Sequence, residues 1–215
     1  MSELQTRAIT GAILVGVVVS ATLLSIWSAF VLWSLLAIVG IRELRDNTMG
    51  GSMSALWVLI ASASVIGLGY FEHTSSGFVA DFSSYNGKNA IALLCMIWAN
   101  DTMAYLGGML AGRRVVKKGL APKVSPNKSW EGAVIGSIFA GAIGYVFIHE
   151  AGFYLGLAVG ILATFSDLIQ SKAKRNVGIK DTGTLLPGHG GVLDRFDALL
   201  LPAPFTFITL YLLTI

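Results

Sequence analysis

Long uncharged stretches alternate with short, densely charged ones along this chain. Residues 8–41 carry no charge, and neither do 47–71, 132–148, 151–166 and 198–215. A helix needs roughly 20 mainly apolar residues to cross the hydrocarbon core of a bilayer. Backbone in lipid must satisfy its own hydrogen bonds, so such runs are expected to be helical. Tiling them predicts seven helices, near 8–23, 26–44, 54–71, 89–111, 131–149, 152–174 and 197–215. The first two share one unbroken run with a division near Ser25. Read as a single tilted helix, that run leaves six spans. The fold class expected is all-α, a polytopic transmembrane helical bundle. Residues 1–88 supply N-terminal helices, and 89–215 a catalytic core with two cytoplasmic loops. The whole is expected to be one membrane domain.

Composition agrees. Hydrophobic residues make up 54% of the 215 and charged residues only 13%, about half the usual share of a soluble domain. Mean hydropathy is +0.72. The first segment has one basic residue ahead of it, Arg7, and no clear small-residue cleavage site, so an uncleaved span is expected rather than a signal peptide. The single Cys95 lies in an apolar run, which excludes an internal disulfide and reads as a small buried hydrophobe. The polar stretch 72–88 reads as a connector. Gly132 with Gly136, and Gly152, Gly156 and Gly160, recur at the spacing that lets helix backbones approach closely.

Charge sets the expected orientation. With seven helices and the N-terminus inside, 14 of the 15 basic residues fall on one side, and only Lys88 lies outside. The positive-inside rule makes that side cytoplasmic. Two loops hold most of the charge. One carries Arg113, Arg114, Lys117, Lys118, Lys123 and Lys128; the other carries Lys172, Lys174, Arg175, Lys180 and Arg195. These basic residues sit in short loops beside membrane, interleaved with Asp and Gly, so nucleic acid is not the expected partner.

Candidate chemistry begins with charges that interrupt apolar runs. Asp101 breaks the run 89–112, with Tyr105 one turn later on the same face. Intramembrane carboxylates are costly and usually face a cavity or a partner. Asp167, Ser171 and Lys174 follow one helical stripe towards the cytoplasm. The loop 172–197 sets Lys174, Arg175, Lys180 and Arg195 beside Asp181, Asp194 and Asp197, with His189 between Gly188 and the pair Gly190-Gly191. Glycines let backbone approach phosphate oxygens, and Lys and Arg neutralise them. Carboxylates can hold Mg²⁺ shared with substrate phosphates. Asp194 and Asp197, three apart, can face one way at the start of a helix. In the other loop, Ser129 is an expected N-cap, Glu131 favours a helix start, and Lys128 can face an anion. Together these parts suit phosphoryl or nucleotidyl transfer.

In order and spacing, Ser171, Lys174-Arg175, Lys180-Asp181, His189-Gly190-Gly191, Asp194-Arg195 and Asp197 resemble the signature of the phosphatidate cytidylyltransferases, or CDP-diacylglycerol synthases. Residues 101–105 resemble that family's Asp-Thr-x-Ala-Tyr segment, and 125–132 its Ser-Pro-x-Lys-x-Trp-Glu-Gly segment. Ala173 stands where the family usually has a larger apolar residue. The resemblance covers residues 90–200 well and the rest only as hydrophobic helices. The chain is also shorter than many members, as if helices before Asn89 were missing.

The resemblance implies transfer of CMP from CTP to phosphatidate, giving CDP-diacylglycerol and pyrophosphate. It implies a cytoplasmic-membrane enzyme with its site facing the cytoplasm, a homodimer, and Mg²⁺ with a second cation left open. Asp167 and Asp194 are the implied metal ligands, with Asp181 and Asp197 as second choices. Lys174, Arg175, Lys180 and Arg195 would clamp phosphates; Asp101, Ser125, Lys128 and Ser171 would line the cavity. His189, Gly190 and Gly191 would shape the loop around substrate, His189 orienting it or donating to a phosphate. A phosphate monoester has a second pKa of about 6, so the nucleophile needs no general base. The rival expectations are a CTP-dependent polyprenol kinase, an archaeal ether-lipid synthase and a transporter without catalysis.

Overall fold

A computed structural model describes residues 3–74 and 77–215. Its helices are α1 (Glu3–Leu24), α2 (Ile26–Asp46), α3 (Ser52–Gly67), α4 (Lys88–Ala111), α5 (Trp130–Asn176), α6 (Leu193–Phe196) and α7 (Pro202–Leu212). Strands β1 (Phe71–Thr74) and β2 (Gly77–Ala80) form an antiparallel hairpin between α3 and α4. Among the described residues, six helical stretches are long and apolar enough to cross a membrane. The last of them joins α6, a 3-10 turn and α7 into Leu193–Leu212. The chain is a multi-pass membrane protein.

Ser25 does divide the first apolar run. Its Oγ accepts the amide of Ser28 at 3.1 Å, and the Ser28 Oγ accepts the amide of Ser25 at 3.1 Å. That reciprocal cap satisfies the donors left over at the start of α2. Serine at Ser28 replaces the usual Glu or Gln, so no charge is placed beside lipid.

The 47-residue α5 is two arms of a hairpin. Its backbone leaves helical geometry at Ile148 (φ −138°, ψ 17°) and His149 (φ 54°, ψ −138°). Residues 140 and 156 would stand about 24 Å apart in a straight helix. Instead, a Cβ added at Gly156 would press on the Ala140 carbonyl, and one at Gly160 would lie 2.7 Å from the Ser137 Cα. A Cβ at Gly144 would likewise strike the Gly152 carbonyl oxygen. The glycine spacing in the sequence therefore serves the contact between two spans, as small residues do in lipid. Counting the two arms separately gives seven helical stretches within the six candidate spans.

The chain packs as two compact units. One holds residues up to Ile91 with Ala173–Asp197 and Phe207–Ile215; the other holds Ala92–Lys172 and Ala198–Thr206. In the first, Trp33 on α2 is buried, donates to the Thr22 hydroxyl at 3.3 Å and meets Phe196 edge-on. In the second, the buried layer is Leu93, Leu94, Met96 and Ile97 of α4 with Ala140, Val159 and Ala163 of α5. Outward faces stay apolar: Ile13, Trp27, Phe30, Val146 and Leu212 are all exposed. Patches of that extent suit lipid as the surrounding solvent.

The connector 72–88 is more structured than its composition suggests. The β-hairpin pairs Phe71 with Ala80 through Thr74 with Gly77. After it, Asp81 accepts the Ser83 hydroxyl at 2.6 Å, the Ser83 amide at 2.9 Å and the Ser84 hydroxyl at 2.8 Å. These bonds, the Ser83 hydroxyl foremost, draw the Asp81 carboxyl down to about 2.

Candidate active site

The loop after α5 folds back on two carboxylates. Leu186, Pro187, Gly188 and His189 make a tight turn, with the His189 amide donating to the Leu186 carbonyl at 2.8 Å. Pro187 suits its second position, and Gly188, at φ +74°, its third. Leu186 and Gly190 then exchange backbone bonds of 3.0 and 3.1 Å, which narrows the loop. Gly191 follows and delivers its amide to Asp194 Oδ2 at 2.9 Å. The same oxygen accepts the Thr182 amide at 2.7 Å.

With Oδ2 held by two amides, Asp194 turns Oδ1 to Lys174, whose Nζ donates at 2.8 Å. Lys174 also reaches Asp197 Oδ2 at 3.3 Å. All three residues are buried. An ammonium between two carboxylates is the arrangement that lets buried charges coexist. The three-residue spacing of Asp194 and Asp197 therefore does place them on one cation.

Glu43 of α2, to which the sequence assigned nothing, closes this cluster from behind. Its Oε1 accepts the Val192 amide at 2.8 Å. Its Oε2 accepts the Leu193 amide and the Thr182 hydroxyl, both at 2.8 Å. Asn47, one turn later, donates to the Thr182 carbonyl at 2.7 Å. Gly183, Gly190 and Gly191 explain themselves here. Added Cβ atoms would come within 2.9 Å of Glu43 Oε1, 2.9 Å of Asp194 Oδ2 and 2.6 Å of Glu43 Oε2 respectively. Glycine lets this backbone close on carboxylates.

The remaining loop residues point elsewhere. Arg175 is exposed and donates to the Ile179 carbonyl at 2.7 Å. Lys180, Asp181 and Arg195 are exposed. His189 lies against α1, where a Cβ on Gly11 would meet its Nε2 at 3.4 Å. Its buried Nδ1 has no hydrogen-bond partner among the described residues.

In the second unit, Asp167 Oδ1 accepts the Ser171 hydroxyl at 3.1 Å, so the expected stripe is real over its first turn. Asp167 Oδ2 is paired with the ammonium of Lys128. Lys128 belongs to a loop folded by backbone bonds from Lys128 to Ser125 (3.2 Å) and from Leu120 to Lys128 (2.9 Å). Ser129 is the N-cap, accepting the Gly132 amide at 3.1 Å. Glu131 does more than favour the helix start. Its carboxylate accepts the amides of Arg113, Val115 and Val116 at 3.1, 2.9 and 2.8 Å and so ties down the far end of the loop. Asp101 lies on the exposed face of α4 and accepts the Asn100 side chain at 3.2 Å. Tyr105 is exposed on the same side.

Each half of the expected metal pair, Asp167 and Asp194, thus holds a lysine. No group of three or more His, Cys, Asp or Glu side chains suited to a metal occurs among the described residues. Each carboxylate, taken by itself, has the oxygen chemistry that Mg²⁺ takes one or two at a time, its other positions going to phosphates and water.

A buried acid–lysine cluster and a half-buried acid–lysine pair at the ends of apolar spans, beside glycine-turned basic loops, define a membrane protein built to handle anionic groups. Comparison with known proteins sharpens that class. A profile of the cytidylyltransferase family matches residues 47–213. A phosphatidate cytidylyltransferase of Rickettsia typhi is 33% identical over 227 residues, covering 96% of this chain and 92% of the relative. One from Rickettsia bellii is 34% identical over 222 residues, covering 96% and 90%. One from Helicobacter pylori is 41% identical over 155 residues, covering 67% and 56%. The chain belongs to the cytidylyltransferase family.

Proposed function

We infer that the protein is a CTP:phosphatidate cytidylyltransferase of phospholipid synthesis. The observation that carries this reading is the buried Lys174–Asp194–Asp197 cluster, in a chain 33% identical to a phosphatidate cytidylyltransferase over 92% of that protein's length. A phosphate oxygen of phosphatidate attacks the α-phosphorus of CTP. A new P–O bond forms, the bond to the β-phosphate oxygen breaks, and pyrophosphate leaves. The products are CDP-diacylglycerol and pyrophosphate.

The residues divide the work. Arg175, Lys180 and Arg195, exposed at the loop, neutralise the triphosphate. Lys174 holds the Asp194 and Asp197 carboxylates in line with one another. Asp194 and Asp167 are the proposed Mg²⁺ ligands, with Asp181 and Asp197 as the alternates. Mg²⁺ would supply charge neutralisation on the triphosphate and the leaving pyrophosphate. Lys128 and Ser171 orient Asp167 through the contacts already described. Ser125 and Asp101 are assigned to the substrate cavity, and Gly190, Gly191 and His189 to the loop that encloses substrate.

The uneven basic loops support a cytoplasmic site in the cytoplasmic membrane. A homodimer, implied by the family resemblance, completes the proposal. Purified protein given CTP, phosphatidate and Mg²⁺ should yield a CDP-lipid and pyrophosphate on a thin-layer plate. With chelator present it should yield neither. Absence of any CDP-lipid from well-folded protein with Mg²⁺ would end this reading.

A further inference from the structure

We propose that Glu43 is a positioning residue for the reaction, acting from α2 through Thr182 on the direction of the Asp194 carboxylate. Among the groups assigned to substrate, Glu43 lies against the Gly191 backbone. Its carboxylate is spent on three donors, the Val192 and Leu193 amides and the Thr182 hydroxyl. Two of these open α6, the helix that carries Asp194. The third belongs to the residue whose amide fixes Asp194 Oδ2. Thr182 is therefore gripped at three points: hydroxyl to Glu43, carbonyl to Asn47, amide to Asp194. Glu43 and Asn47 lie four apart on α2, so one helical face presents both. With Thr182 and the amides before Asp194 held, only Asp194 Oδ1 is left to turn, and it faces Lys174.

The grip is buried, Glu43 being 8% and Thr182 4% exposed. A buried amide that loses its acceptor must find another, because water does not reach it. Glu43→Gln retains one acceptor oxygen and replaces the other with a donor. Val192 and Leu193 then cannot both be satisfied, and α6 shifts with Asp194 upon it. Displacement of a reacting group by about 1 Å costs on the order of 100-fold in rate.

The kinetic arm of the test rests on the cytidylyltransferase reading; amide exchange of the 191–194 segment does not. In detergent-purified full-length protein, Glu43→Gln should lower kcat per folded molecule about 100-fold. KM for phosphatidate should stay unchanged, and exchange at Val192 and Leu193 should quicken. Thr182→Val, which removes one arm of the grip, should cost about 10-fold, and Thr182→Ser should recover most of that. Because the two residues act as one unit, the double variant Glu43→Gln/Thr182→Val should be no slower than Glu43→Gln alone. Full kcat per folded molecule in Glu43→Gln, or multiplicative losses in the double variant, would overturn the proposal. So would unchanged exchange at Val192 and Leu193. If native protein made no CDP-lipid, the functional reading would fall, and the exchange arm would still decide whether Glu43 holds the loop.

Discussion

Replacing Asp194 by asparagine separates the chemistry of the cluster from its contribution to folding. The Asp194 side chain is 2% exposed and that of Lys174 9%. An asparagine can aim its single oxygen at the Thr182 and Gly191 amides, keeping two of three bonds. Its nitrogen then faces the Lys174 ammonium, and the ion pair is gone. Breaking a buried pair from one side costs about 3–5 kcal/mol. Asp197 Oδ2, 3.3 Å from the same ammonium, still compensates it, which places the cost near the lower end, about 3 kcal/mol. A domain of this size loses roughly 2–4 °C of unfolding midpoint per kcal/mol, so a fall of roughly 6–12 °C is expected. Against a total stability of about 5–15 kcal/mol, the folded form remains dominant. Turnover should nevertheless fall by at least about 100-fold, the usual loss when a preorganised charge is removed from a transition state. The assay is product formed per folded molecule, with folding read by size exclusion and thermal unfolding in detergent. Near-native turnover would refute the role given to Asp194. An unchanged unfolding midpoint would refute the buried pair.

Two further outcomes follow from other parts of the structure. Asp167→Asn should abolish turnover while the protein still inserts, whereas Lys128→Ala should weaken it less, because Ser171 still holds Asp167; initial rates of the two variants side by side check this order. Gly144→Ala should destabilise the α5 hairpin by about 1–3 kcal/mol, the usual cost of overpacking, since its methyl group would meet the Gly152 carbonyl; a lowered unfolding midpoint with native KM checks it.

The spans were legible because charge is so costly in lipid that its absence marks them. The break at Ile148 and His149 fell where His149 and Glu150 interrupt two uncharged runs. The division at Ser25 was placed correctly, although the cap behind it depends on Ser28, which carries no signal in an apolar run. The short strands were missed because two segments of four residues each, the first with Phe71 as its one apolar residue, do not outweigh a loop's composition. In the site, residues near one another in sequence were read well: Asp167 with Ser171, Asp194 with Asp197. Glu43 was missed for a physical reason. Between Arg42 and Arg45 it looks like one charge of a helix end, and its partners Val192 and Leu193 lie about 150 residues away as bare backbone amides. Nothing in side-chain chemistry could announce them. The glycines were recognised as sites of close approach; that Gly190 and Gly191 also lie against the Asp194 and Glu43 carboxylates is visible only in the fold.

The central claim, transfer of a cytidylyl group rather than of a terminal phosphoryl group, is tested most directly with CTP labelled at one phosphorus at a time. Purified protein in detergent with phosphatidate should move label from the α-position into lipid and leave γ-label in pyrophosphate. Label passing from the γ-position into lipid, with CDP released, would contradict it.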